Sequence, residues 1–244
     1  MMQFMAIRQQ LLAQIDRGLL APGKKLPGER QLAETFSTTR VTLREALAVL
    51  EAEGRLYRRD RRGWFVAPTP CSYDPTQLSD WHSYFVPYGG QFAWLTQTKK
   101  MADAAISDQM QLPPFGQVYE GEGLVCIEQL PVGFVRTFLH PDFFPAVWEA
   151  GDKARLDHAR LTRRSTALSE VSWSSAWEAL ESAQREALEV APGTPALKVT
   201  RYWQIQQAET WQTVRIDQEW WRQHAVVLCG GPTNLSEGSE KKRE

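Results

Sequence analysis

The chain has 244 residues, 43% of them hydrophobic and 23% charged, with a formal net charge of −1. That is room for one large globular domain or two small ones, and too apolar a composition for a disordered chain. No apolar run approaches the ~20 residues a membrane span needs, and the N-terminus lacks an apolar signal core, so a soluble, cytoplasmic protein is expected.

The charge is unevenly spread. Residues 1–66 hold 12 Lys/Arg against 7 Asp/Glu, a net +5, and the rest holds 16 against 22, a net −6. A basic head on an acidic body suits a polyanion partner for the head and a separate task for the body. Cys71, Cys126 and Cys229 lie far apart and are odd in number. They show neither metal spacing nor a disulfide framework and read as reduced thiols.

Phe4, Ile7, Leu11 and Ile15 recur at helical spacing over residues 4–17, and Gly18 and Pro22-Gly23 close that helix. A second helix opens at Leu26-Pro27-Gly28-Glu29, with Gly28 as N-cap and Glu29 in the first turn. Its buried face is Leu32, Ala33 and Phe36. Ser37-Thr38-Thr39 is a polar turn, and Thr38 or Thr39 caps a third helix from Arg40 to Glu53, stopped by Gly54.

The third helix puts Leu43, Ala46, Leu47 and Leu50 on one face. Arg40 and Arg44 stand together on another, beside Val41. Packed by its leucines, such a helix can offer Arg40, Thr42 and Arg44 to a major groove, where a guanidinium grips phosphate or a guanine edge with two donors. A solvated amphipathic helix has the same pattern. The next segment decides between them. Arg55–Val66 alternates into two short strands with five arginines in eight residues. This is a wing, whose Gly63 permits close backbone approach and whose Arg61 and Arg62 reach phosphates or the minor groove.

Taken whole, LPGERQLAETFSTTRVTLREALAVLEAEGRLYRRDRRGWFV resembles the winged helix-turn-helix of the GntR family of bacterial transcription regulators. The family pattern runs LPSER-x-LA, then Ser/Thr-Arg-x-T-x-R-x-AL, then L-x-x-x-G and a glycine-tipped wing. The resemblance implies DNA contacts at Arg30, Thr39, Arg40, Thr42, Arg44 and Gly63. Gly28 replaces the usual Ser, and Trp64 stands where Thr is commoner.

Pro68, Pro70 and Pro75 stiffen a short linker. The expected organisation is a head over 1–68, a linker over 69–76, a body over 77–229 and a disordered tail over 230–244, which has almost no apolar content. Residues 76–88 read as a helix ended by Pro87 and Gly89-Gly90. In the body, strands are expected over Phe92–Thr98, Val118–Ile127, Val132–His140, Ser165–Ser174, Ala196–Gln206 and Trp211–Arg222. Helices are expected over Met101–Leu112, Phe143–Ala150, Leu156–Arg164 and Ala179–Val190. The fold class is α+β with a mostly antiparallel sheet.

Residues 187–197 (ALEVAPGTPAL) with Arg201, and the closing Glu219-Trp220-Trp221-Arg222, resemble the UTRA domain of the HutC branch of the GntR family. That implies a chorismate-lyase-like fold that binds small, often charged metabolites. RDRRGWFV and Asp74-Pro75-Thr76-Gln77 are closest to regulators of phosphonate use. Relatives that bind phosphorylated ligands carry two arginines, two residues apart, on the strand at 118–127. Those positions fall here on Gly123 and Val125, and Arg136 stands where the next strand often has an acid. Arg136 is either a replacement anion ligand or one half of a surface ion pair. Ser172 and Ser174 lie on the strand that supplies hydroxyls in the family, and Arg201 and Glu219 flank the same pocket. One or two of the late tryptophans can wall it.

His82, His140, His158 and His224 are scattered, and no nucleophile, phosphate-loop or metal pattern occurs. No cofactor is expected. The function expected is a DNA-binding regulator, a repressor, that acts as a homodimer on an operator and answers to a small metabolite. The rival is a metabolite-binding or chorismate-lyase-like enzyme with an accessory DNA-binding head, for which catalytic residues are missing; fold alone does not carry that activity.

Overall fold

The computed structural model describes residues 3–59, 61–76, 81–145, 170–207 and 209–230. Residues 146–150 of the expected helix at 143–150, the expected helix at 156–164, the first part of the expected strand at 165–174, and the tail from 231 lie outside them.

Three helices build the head: α1 (Gln3–Asp16), α2 (Glu29–Thr35) and α3 (Arg40–Ala52). α3 buries the expected Leu43, Ala46, Leu47 and Leu50 against Ile7 and Leu11 of α1 and Leu32 and Ala33 of α2. Gly28 is the N-cap of α2 and makes no side-chain cap bond. Thr39 caps α3 by accepting the Thr42 amide at 3.2 Å. β1 (Leu56–Arg59) and β2 (Gly63–Val66) form the wing hairpin, with Arg59 opposite Gly63. Lys25 bridges to Phe65 as a third edge.

The body is a six-stranded antiparallel sheet: β4 (Gly90–Met101), β5 (Gln117–Ile127), β6 (Leu130–Leu139), β7 (Glu170–Ala179), β8 (Pro195–Gln207) and β9 (Thr210–Arg222), in the order β4-β5-β6-β9-β8-β7. The expected α+β class holds. Glu128 and Gln129 turn β5 into β6, both at positive φ, as a two-residue hairpin requires.

One face of the sheet carries α5 (Ala104–Met110) over Val118, Phe138 and Ile216, and α6 (Ser182–Ala187) near Phe134, Ala196 and Trp220. The opposite face carries α4 (Trp81–Phe85) with the following 3-10 turn and a small parallel pair, β3 (Cys71–Tyr73) with β10 (Val226–Leu228). The segment read as a linker thus contains a strand that ties the exit of the head to the chain's last described strand. Cys71, Cys126 and Cys229 are free thiols. No helix among the described residues is long and apolar enough to cross a membrane.

Candidate functional site

The head concentrates its chemistry at the start of α3. Arg40 and Arg44 project to solvent one turn apart, and both lean on Glu29 at the start of α2. Arg44 Nε donates to Glu29 Oε2 at 2.7 Å, and an Arg40 nitrogen lies 3.7 Å from the same oxygen. The second Glu29 oxygen accepts the Trp64 indole N–H at 3.2 Å. Burial raises the Glu29 pKa, but hydrogen bonds from Arg44 and Trp64 and the charges of Arg44 and Arg40 outweigh it, so the carboxyl titrates below its ordinary value. Trp64, the departure from the family pattern, therefore links the wing to α3 through Glu29.

The other expected contacts gather on this side of the head or at the wing. Thr39 and Thr42 share a hydroxyl contact of 3.0 Å at the N-terminus of α3. Arg30 is exposed and pairs with Glu34. Gly63 has φ +99°, outside what a side chain tolerates, and the exposed Arg61 and Arg62 precede it at the wing turn. Val41, beside Arg40, is 67% exposed and offers an apolar contact. The sequence marked Glu29 only as a first-turn acid. Its closeness to the arginines depends on how α2 and α3 cross.

The expected effector residues separate onto two sheet faces. Register places Arg136, Gln218, Thr200 and Ser174 in one cross-strand row, with Ser172 two residues along on the same face. This is the face carrying α5 and α6. Arg201, Asp217 and Thr137 form a row on the other face, and Glu219 lies there too, with Gly123 and Val125. Arg136 is held by Glu122 at 2.9 Å and Glu120 at 3.4 Å, the ion-pair alternative. Ser174 is exposed. Ser172 is buried, and its hydroxyl has no hydrogen-bond partner among the described residues.

Arg201 and Glu219 belong to a buried charge cluster. The Arg201 guanidinium lies 2.8 Å from Glu219 and 3.2 Å from Asp217, and Arg215 Nε donates to Asp217 at 2.8 Å. Tyr73 and the Trp81 and Trp221 indoles donate to Glu219, and Trp203 donates to Asp217. Both guanidiniums also lie against the rings of Trp81 and Trp203, 4.8–5.4 Å from their centres. Burial works against the charge on Arg201, yet Glu219, Tyr73 and Asp217 raise its pKa. Burial likewise raises Asp217, but Arg215 and Arg201 bring it below the usual carboxylate range. Two donors are left over. Arg201 Nε and the indole N–H of Trp173, opposite Arg201 in register, have no partner among the described residues.

Tyr73 and Trp81 reach the cluster from β3 and α4, outside the sheet, and left no signal in the sequence. Asp217 was legible in principle, since T-V-R-I-D-Q-E puts Arg215, Asp217 and Glu219 at alternate positions of one strand. No group of three or more His, Cys, Asp and Glu side chains able to hold a metal occurs among the described residues.

Comparison with known proteins follows the same division. Residues 5–66 match the family described as bacterial regulatory proteins, gntR family, and residues 90–222 match the UTRA domain. The chain is 27% identical to the uncharacterized HTH-type transcriptional regulator YihL of Escherichia coli K12, over 91% of this chain and 94% of that one. It is 49% identical over 61 residues, 25% of each chain, to the HTH-type transcriptional repressor NagR of Bacillus subtilis. Among solved structures, PhnF from Mycobacterium smegmatis superposes with a TM-score of 0.59 at 20% identity, covering 89% of this chain and 96% of its own. The possible regulator YydK from Bacillus subtilis gives 0.51 at 13% identity, covering 96% and 100%. The chain therefore belongs to the gntR family of bacterial regulatory proteins, in the HutC-like branch that joins a DNA-binding helix-turn-helix head to a UTRA effector domain, and it is a transcription regulator rather than an enzyme.

Proposed function

We propose that the protein is a repressor that binds its operator as a homodimer and releases it when a small metabolite occupies the sheet domain. The observation that carries the DNA half is the Glu29 hub. It holds Arg40, Arg44 and the wing's Trp64 on one carboxylate, so recognition helix and wing meet DNA as a pre-organised unit. Arg40, Arg44, Thr42 and Val41 read the major groove. Thr39, Arg30 and the Arg61-Arg62-Gly63 turn position the head on the backbone. The NagR relative, a repressor, supports the direction of regulation.

For the effector, the face carrying Arg201 and Glu219 is the better supported half of the expected set. The two leftover donors, Arg201 Nε and Trp173 Nε1, lie on that face and call for an acceptor oxygen, as in a carboxylate or phosphonate. The ligand acts through its differential affinity for two placements of the heads. A coupling of about 2–3 kcal/mol changes occupancy by tens- to about a hundredfold.

The test is a gel shift on the protein's own promoter DNA, with and without phosphonates, sugar phosphates and amino acids. Arg40→Ala with Arg44→Ala abolishes the specific shift. A metabolite that releases wild-type protein loses potency against Trp173→Phe. Unaltered specific binding by the double variant would remove α3 as the reading element, and unaltered release by Trp173→Phe would remove this face as the effector site.

A further inference from the structure

Three turns of the body converge on the head, each at a non-glycine residue with positive φ. The β5–β6 turn meets the wing where Arg59 donates to the Gln129 carbonyl at 2.6 Å. The loop after α6 brings Glu189 to 3.1 Å from Arg59. The turn after β9 sets His224 Nε2 2.9 Å from the Ala52 carbonyl at the end of α3. Between these contacts lies a cleft of about 1040 Å³. Arg58, Arg59, Arg62 and Arg222 line it against only Glu51 and Glu189, and Ile127, Leu130 and Val132 supply an apolar part of the wall.

Arg222 is the residue the regulatory scheme leaves unexplained. Its guanidinium is mostly buried at the end of β9, yet no carboxylate lies within 4.0 Å of it among the described residues. Its one hydrogen bond goes to the Leu188 carbonyl at 3.3 Å, and it lies 5.7 Å from the centre of the Tyr57 ring. Arg59 approaches the same ring at 5.9 Å. Burial and the neighbouring Arg59 charge depress the Arg222 pKa, the sign of a cation short of counter-charge. Glu189 is the nearby acid, and its half-exposed carboxylate is already taken by Arg59. A partly buried guanidinium with spare donors, beside a second one and an aromatic ring, is suited to a bidentate oxyanion with an apolar body.

We propose that this cleft between head and sheet is a binding site for a small organic anion, a carboxylate or phosphate on an apolar group, gripped by Arg222 and Arg59 beside the Tyr57 ring. The site is separate from the Arg201 cluster and from the α3 face proposed to read DNA, and shares Arg62 with the wing turn. Because the anion touches β1 of the wing and the end of β9 at once, it clamps the head in this placement. Any effect on DNA affinity is then matched by an equal effect of DNA on anion affinity.

The test is calorimetric titration of the full-length protein with phenyl phosphate at constant ionic strength, with inorganic phosphate and benzyl alcohol as the anionic and apolar halves. Phenyl phosphate saturates one site per chain and binds more tightly than either half. Arg222→Met weakens it by about tenfold or more, and Arg222→Lys by less. Arg40→Ala with Arg44→Ala, and Trp173→Phe, leave it unchanged. No saturation up to about 10 mM, unchanged affinity in Arg222→Met, or loss of binding in either control overturns the proposal; the controls would instead assign the anion to the DNA face or the sheet face. If Arg222→Met fails to fold, amide exchange of the wild-type protein decides. Phenyl phosphate slows exchange at 56–59 and 188–194 if the site is real, and no slowing there refutes it.

Discussion

Glu29 and Arg201 each act as a hub, in opposite surroundings, and their substitution has opposite signatures. Glu29 is a partly exposed acid whose value is lowered by Arg44, Trp64 and Arg40. A depressed acid contributes stability that is fully present above its unfolded value, near 4.5, and lost as pH falls through the folded value. Glu29→Gln therefore unfolds more easily than wild type in urea near neutral pH, and the difference closes as pH drops below about 4. A gap that persists undiminished into acid would mean the carboxylate charge is not what holds the hub. Arg201 is buried with its charge matched by Asp217 and Glu219. Arg201→Met leaves buried Glu219 without its ion pair and Asp217 with Arg215 alone. The expected cost is about 3–5 kcal/mol, read as a lower urea midpoint at unchanged slope. Loss of less than about 1 kcal/mol would show that the cluster relaxes or hydrates when opened.

At the scale of elements, the wing makes the sharpest claim. Arg61 and Arg62 precede a glycine at φ +99° at its turn, and under the proposed function they would meet DNA as charges more than as readers of sequence. Replacing both with Ala lowers the magnitude of the slope of log affinity against log salt by about 1.8 per head, with little change in preference among operator variants. A changed preference at an unchanged slope would make them base readers. The wing and α3 were legible in the sequence because their signals are local: four leucine-face positions on one helix, a threonine cap and a glycine-tipped hairpin. The sheet strands were placed to within a few residues, except that β7 runs to Ala179, past the expected end at Ser174. Which way their side chains face was not legible. In β6 all ten residues but Arg136 are buried, so inward and outward positions carry the same apolar composition. Phe134 and Val135 are equally buried on opposite faces. With no polar side to anchor the alternation, a one-residue slip in matching the family pocket moves Arg136 and Ser172 to the wrong face from Arg201. The β3–β10 pair was invisible for another reason: two three-residue strands more than 150 positions apart leave no periodic trace.

For the whole molecule, the question is whether head and body unfold as one. The head has a core of its own, in which α1, α2, α3 and the wing bury Leu43, Ala46, Leu47, Leu50 and Trp64. Tyr57 is the exception. It points from β1 into the body's core beside Ile127, Leu130 and Trp221, stacked on Phe65 at 5.4 Å and flanked by Arg59 and Arg222. Phe65 and Ala67 are partly buried against the same core, and the polar links are Arg59 to Glu189 and Gln129, and His224 to Ala52. Gly54, at φ +69°, ends α3 so close to the His224 ring that a Cβ there would fall on it. Polar links at a half-exposed surface contribute little net stability, about 0–1 kcal/mol each, whereas a buried aromatic ring contributes about 3–5 kcal/mol against Ala. Tyr57, the most deeply buried of these head residues, is thus the main contact that couples the two units. In calorimetry the wild-type protein melts in one transition, and Tyr57→Ala separates it into two, with the head melting as an independent unit. Gly54→Ala, which displaces His224 but leaves the ring in place, lowers the midpoint without splitting the transition. Should Tyr57→Ala still melt in a single transition, the polar turns rather than the ring would be the coupling, and a signal from the sheet would reach α3 through His224.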